Sequence, residues 1–175
     1  MLICLDMFIT PAAKSNDSVS RGRGSGGLVT MWNKRLTKYV SKVSSNNFRL
    51  LATKFSLPDW DLLLINVYFP CDPRTENFDD TELITLLADM RSIIERSQCF
   101  NVLLAGDLNA HFDRSTRFTR TVRAELDDLE LILLWDQPET RVDYTYCCIQ
   151  NNLAYFSTLD HFAMNSRLLN TVLDG

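Results

Sequence analysis

The 175 residues predict one α/β domain, and three observations carry the prediction. Short runs rich in β-branched and aromatic residues, punctuated by turn residues, fill the first part of the chain as far as Pro70. From Asp79 to Ser97 the apolar residues change to a spacing of three and four. That segment leads into a short continuous apolar run, Val102 to Ala105, which reads as a buried strand.

Taken in order, residues 3–9 are apolar enough for an edge strand. The following PAAKSNDSVSRGRGSGG is rich in Ser, Gly and Arg and reads as loop, ended by Gly26 and Gly27. LVTMW reads as a strand, residues 37–43 as a second, and FRLLATKFS as a third, with Asn46 and Asn47 placed as a hairpin turn between the last two. Pro58-Asp59 makes another turn before WDLLLINVYFP, whose continuous apolar run suggests a central strand buried on both faces. To this point the pattern is a β-meander.

The helix over Asp79 to Ser97 is set by Leu83, Leu86, Leu87, Met90, Ile93 and Ile94. Acidic residues crowd its first turn while Arg91 and Arg96 lie near its end, which suits the helix dipole. Val122 to Leu134 gives a second amphipathic segment, read as a helix packed beside the candidate site. Short β-rich pieces follow at Tyr144 to Ile149 and Ala154 to Ala163. No internal repeat, low-complexity tract or linker divides the chain, so residues 1–175 are read as one domain.

Apolar residues make up 46% and charged residues 23%, ordinary for a globular protein. No apolar run approaches the roughly 20 residues of a membrane span, and MLICLDMFIT lacks the basic flank and cleavage site of a signal peptide. Cys4, Cys71, Cys99, Cys147 and Cys148 are an odd number without repeated metal-type spacing, which predicts reduced, mostly buried thiols and a cytoplasmic or nuclear setting. The net charge of −4 argues against a generic nucleic-acid binder. Yet nine basic residues (Lys14, Arg21, Arg23, Lys34, Arg35, Lys38, Lys42, Arg49, Lys54) face one acid, Asp17, between residues 14 and 54. Such a segment either lies along a phosphate backbone or forms a solvated charged face.

The chemistry concentrates in NVLLAGDLNAHFD, residues 101–113. A buried strand there delivers a carboxylate, Asp107, and a carboxamide, Asn109, to the rim of a sheet. Spacing of two places both on one side of an extended chain, and Gly106 and Ala110 leave room for a ligand to approach the backbone. The competing local reading is that Asp107 caps a turn and Asn109 takes a left-handed conformation. Tyr68 ends the central strand before Pro70, where its phenol either donates to a phosphate oxygen or packs as an aromatic. Asp160 and His161 are adjacent, and adjacent side chains of a strand point to opposite faces, so they make a poor catalytic dyad. His161 and His111 are read as structural. RGRGSGG precedes a strand with no following helix and fails the context of a nucleotide-binding fingerprint.

Four blocks in this order, GRGSGGLVTMW, LLLINVYFP, NVLLAGDLNAHFD and STLDHF, resemble the endonuclease/exonuclease/phosphatase superfamily. Within it they look most like the endonuclease domains of non-LTR (LINE-type) retrotransposons, over a stretch from about Met7 to Leu173. The resemblance implies a two-sheet α/β sandwich of deoxyribonuclease I-like type. It implies metal-dependent phosphodiester hydrolysis that nicks DNA, with Mg²⁺ or Mn²⁺ as cofactor and a reverse transcriptase domain as companion in the full element. By the same resemblance Asp107 orients or deprotonates the attacking water, Asn109 holds the phosphate, and Tyr68 contacts it. Asp160 matches an aspartate that orients a later catalytic histidine, His161 stands in the place of an aromatic neighbour, and Thr145 in Asp143-Tyr144-Thr145-Tyr146 supports the site wall.

The sequence also departs from the pattern. The family holds its divalent ion chiefly through a glutamate in an early strand, whereas no glutamate here precedes Glu76 and Asp6 is not a convincing substitute. The chain ends at Leu173-Asp174-Gly175, where the family pattern would reach a Ser-Asp-His block. The expected fold is therefore incomplete at its N- and C-terminal strands, the metal ligands are unassigned, and activity is expected to be impaired. Two other readings stand beside this one: a catalytically inactive remnant with weak nucleic-acid binding, and a phosphoinositide or sphingomyelin-type phosphodiesterase. The absence of a lipid-facing apolar insertion disfavours the latter.

Overall fold

A computed structural model of the chain describes residues 4–11, 27–140 and 142–173. The RGRGSGG segment, apart from Gly27, and the basic residues Lys14, Arg21 and Arg23 lie outside the described residues. Ten strands are described: β1 (Leu5–Thr10), β2 (Leu28–Asn33), β3 (Val40–Val43), β4 (Leu50–Leu57), β5 (Trp60–Tyr68), β6 (Val102–Asp107), β7 (Leu131–Leu133), β8 (Tyr146–Gln150), β9 (Leu153–Ser157) and β10 (Asp160–Asn165). Three α-helices accompany them, α1 (Thr81–Ser97), α2 (Arg117–Asp128) and α3 (Ser166–Leu173).

Six strands form the central sheet in the order β3-β4-β5-β6-β10-β7. Neighbours run antiparallel except β5 and β6, which are parallel. A parallel pair needs a crossover, and α1 supplies it. Its apolar stripe, Leu83, Leu86, Leu87, Met90 and Ile93, is buried against Leu63, Ile65, Val67 and Leu104 of the sheet. Each such side chain contributes roughly 1.5–3 kcal/mol of transfer free energy, and Phe118, Val122 and Leu126 of α2 extend the same core.

The other face of the sheet is only half covered. Along β5 the residues alternate between buried and half-buried, so the expected burial on both faces holds for one alone. The β1–β2 ribbon lies over this second face, where Leu28 and Trp32 are buried and Asn66 donates through Nδ2 to the Val29 carbonyl at 3.0 Å. The hairpin β8–β9 stands apart from the central sheet and exposes Tyr146, Ile149, Leu153, Tyr155 and Phe156.

Several local expectations need correction. Residues 34–39 form a 3-10 turn, opened by Asn33, whose side chain accepts from the Arg35 N–H at 3.0 Å; only Val40–Val43 is strand. The second helix spans Arg117–Asp128, not Val122 to Leu134. It begins at a capping box in which Thr119 takes the role usually given to Glu or Gln, and Glu130 at φ 55° turns the apolar run that follows into β7. All five cysteines are free, but Cys4, Cys71 and Cys147 are exposed and Cys99 and Cys148 half-buried, because they lie at strand ends, in loops and on the hairpin. No helix among the described residues is long and apolar enough to cross a membrane.

Candidate active site

Three of the four residues singled out by the sequence fall into one row across the sheet. Tyr68 is paired with Asp107 across β5 and β6, and Asp107 with Asp160 across β6 and β10. Directly paired residues share a face, so the phenol and both carboxylates project from the half-covered side, at the ends of their strands. Their chain neighbours point the other way into the core, where Phe69 and Leu108 are fully buried and His161 is 4% exposed. The row is thereby held from beneath by packing.

Asn109 joins the row by a turn. The strand ends at Asp107, and Asn109 takes a left-handed conformation with φ 49°. Its N–H donates to Asp107 Oδ1 and its Nδ2 to the Phe69 carbonyl, both at 2.8 Å. The local reading of a turn capped by Asp107 is thus the observed one, and the extended alternation is not. The carboxamide still lies beside the carboxylate, with one of its two Nδ2 hydrogens committed to Phe69.

Gly106 has a different reason from the expected one. At φ 138° a Cβ there would lie 2.2 Å from the Val67 carbonyl oxygen, so the neighbouring strand and not a ligand takes the space. Ala110 is likewise fully buried and offers no approach to a ligand.

Burial raises the Asp107 carboxyl above its ordinary value, and the charge of Asp160 adds to the shift against the opposing hydrogen bond from Asn109. Asp160 is fixed at both of its backbone groups. Thr145 Oγ1 accepts from the N–H groups of Leu159 at 2.9 Å and Asp160 at 3.0 Å, and Trp135 Nε1 donates to the Asp160 carbonyl at 2.9 Å. The sequence suggested the part played by Thr145. It gave no sign of Trp135, which closes an apolar run.

Both histidines are tied into the scaffold. His161 Nε2 lies 2.9 Å from the Ala110 carbonyl and 3.2 Å from that of Thr158, and burial holds its imidazole below the usual value. Nδ1 of His111 accepts from the Thr158 N–H at 3.1 Å. Asp160 and His161 face opposite sides of β10, which rules out their direct pairing, as the alternation of a strand requires.

Two clefts flank the row. One of about 520 Å³ runs along the half-covered face between Asn66, Ala105, Asp160 and Phe162 on the sheet and Val29 and Met31 on the ribbon. The other, of about 550 Å³, lies beyond Trp135 and His161 and carries Asp113, Asp136 and Asp143. As donors for a divalent ion, Asp107 and Asp160 are two hard carboxylates side by side. Magnesium takes one or two carboxylates from a protein and completes its shell with water and substrate phosphate, so the pair fits such an ion. No group of three His, Cys, Asp or Glu side chains gathers among the described residues.

The central sheet, its parallel pair, the helices α1 and α2 on one face and α3 on the other make the chain an example of the deoxyribonuclease I-like fold of the endonuclease/exonuclease/phosphatase proteins. The structure is similar to that of the endonuclease domain of TRAS1, a telomere-specific non-LTR retrotransposon, with a TM-score of 0.66 at 14% identity over 95% of this chain and 69% of that one. It is also similar to an endonuclease/exonuclease/phosphatase family protein from Leptotrichia buccalis (TM-score 0.61, 13% identity, 94% of this chain and 61% of that one). A third likeness is to the 3′ phosphatase NExo from Neisseria bound to a product DNA hairpin (TM-score 0.60, 15% identity, 95% and 68%). No family model and no curated protein matches the sequence. At these identities the likeness establishes the fold, and this chain spans about two thirds of the length of the proteins it is compared with.

Proposed function

We propose that the chain is a phosphodiesterase domain of nuclease type acting on DNA, with the Tyr68–Asp107–Asp160 row and Asn109 as its reacting surface. The observation that carries this reading is the register that lines up Tyr68, Asp107 and Asp160 on one face. That the fold is shared with the nuclease and phosphatase structures above supports it.

The residues have separable tasks. Asp107 is made more basic by burial and by Asp160, which suits it to take a proton from an attacking water. Asn109, fixed through its N–H and Nδ2, presents the rest of its carboxamide to a phosphate oxygen. The Tyr68 hydroxyl donates to a second oxygen as negative charge builds on the phosphorus centre. Asp160 would hold magnesium beside Asp107, and the ion would supply positive charge to a phosphate oxygen when bound.

Nicking of supercoiled plasmid with Mg²⁺, with Mn²⁺ and with EDTA, beside Asp107→Ala, tests the reading. Metal-dependent nicking that is lost in the variant supports it. A folded protein that leaves the plasmid intact under every condition removes it, in favour of an inactive remnant. Of the basic segment, Lys34, Arg35, Lys38 and Lys42 are exposed, so salt-sensitive DNA binding without nicking is the signature of that second reading.

A further inference from the structure

Arg49 sits at the point where the β4–β5 ladder runs out. Leu50 is the last residue of β4 paired in register, opposite Val67, so the Tyr68 carbonyl has no strand partner on that side. Arg49 supplies one from its side chain. Its Nη1 donates to the Tyr68 carbonyl at 3.3 Å, while its own carbonyl accepts from the Tyr68 N–H at 3.1 Å. The guanidinium carbon also lies 5.2 Å from the centre of the Tyr68 ring and 5.2 Å from that of Phe48.

The arginine is itself braced. Nε donates to Glu82 Oε1 of α1 at 2.7 Å, and the Arg49 N–H donates to Asn47 Oδ1 at 3.0 Å. Its side chain is 13% exposed against 56% for Glu82, so the cation is set into the surface and its partner stands outside. A planar guanidinium can stack flat on a ring while its in-plane N–H groups donate outward; an ammonium has three donors but no plane to stack.

We propose that Arg49 is a positioning residue for Tyr68. It holds the backbone at the end of β5 and the phenol ring in one placement, and it couples that placement to α1 through Glu82. The proposal rests on the reading that Tyr68 addresses the phosphodiester. On the β4 side the backbone holds Tyr68 only through its N–H, so without the guanidinium the carbonyl and ring at the end of β5 are free to fray there.

The test is a double-mutant cycle between Arg49→Met and Tyr68→Phe in the plasmid-nicking assay, with ¹³C-tyrosine NMR of the same proteins. Loss of one ring signal in Tyr68→Phe identifies Tyr68. The expected result is a fall of about tenfold in kcat for Arg49→Met with KM within twofold, corresponding to about 1.4 kcal/mol. In the Tyr68→Phe background the same change should have no further effect. Arg49→Lys should recover only part of the loss, and Glu82→Gln, at an exposed position, should give a smaller fall of the same kind. Equal effects of Arg49→Met with and without the phenol would overturn the proposal, as would no effect at all. If the parent protein does not nick, the functional reading fails by itself and the NMR decides the positioning. A Tyr68 signal that shifts and broadens in Arg49→Met upholds it; one that stays unmoved overturns it.

Discussion

Asp107 and Asp160 face each other directly across the antiparallel pair β6–β10, and no basic side chain is hydrogen-bonded or ion-paired to either carboxylate among the described residues. Two like charges in such positions oppose folding. Six ion pairs elsewhere in the described residues use other acids, so neither carboxylate of the rim is offset by a cation there.

Neutralising one member of the pair should therefore stabilise the protein. The raised Asp107 value means that its contribution favours the fold at low pH and is lost as pH rises through the folded value, above the ordinary 3.8. Asp107→Asn keeps an acceptor for the Asn109 N–H and removes the charge. It should raise Tm at neutral pH, with the gain vanishing in acid, while abolishing any nicking. A lower Tm at pH 7 would refute this account of the pair.

His161 gives a pH dependence of the opposite sign. Burial depresses its folded value below the ordinary 6.5, against the two backbone carbonyls that favour the charged ring. Stability from this group is complete above about 6.5 and declines as pH falls from there towards the depressed value, because the unfolded chain takes the proton first. Urea midpoints measured from pH 7.5 down to about 5 should drop for the parent, and the slope should flatten in His161→Gln.

Gly106→Ala should be among the most damaging single changes in the chain. The added Cβ meets the Val67 carbonyl oxygen at 2.2 Å, and the residue holds φ at 138°. A clash with backbone on top of a disfavoured conformation costs on the order of 3 kcal/mol or more. Denaturant unfolding of the purified variant, or its failure to accumulate as soluble protein, checks the expectation.

Thr145→Val removes the hydroxyl oxygen that accepts from the successive N–H groups of Leu159 and Asp160. Because the contact is near solvent, the stability loss should be small, about 1 kcal/mol. Activity should suffer more than stability, since Asp160 loses one of its two backbone anchors. Comparing the urea midpoint with the nicking rate separates the two effects.

Much of this arrangement was legible in the sequence because it depends on patterns one element long. The stripe of α1 and the apolar runs of β5 and β6 could be read directly, as could Asp107 and Tyr68 at the strand ends. What could not be read depends on partners distant in the chain. Trp135 bonds to a carbonyl 25 residues away, and nothing in its own neighbourhood marks it. Helix α2 was displaced because Thr119, a poor cue in a sequence, completes its cap, and because Leu129 to Leu134 is apolar enough to prolong a helical pattern that Glu130 in fact ends. The sequence marks Gly106 as special, but only the structure shows that Val67 fills the space beside it.

The position of β10, inserted between β6 and β7, sets an order of events during synthesis. By the time the ribosome has made β7, that strand has no neighbour to join, and β6 presents a bare edge until residues 160–165 emerge. Throughout this interval the nascent chain carries an open, apolar strand edge, the feature most prone to pairing with another chain. Chaperone occupancy of stalled chains should thus be greatest while β6 is outside the ribosome and β10 is still inside it, and fall once β10 has left the exit tunnel, closing the sheet and the Tyr68–Asp107–Asp160 row in the same step.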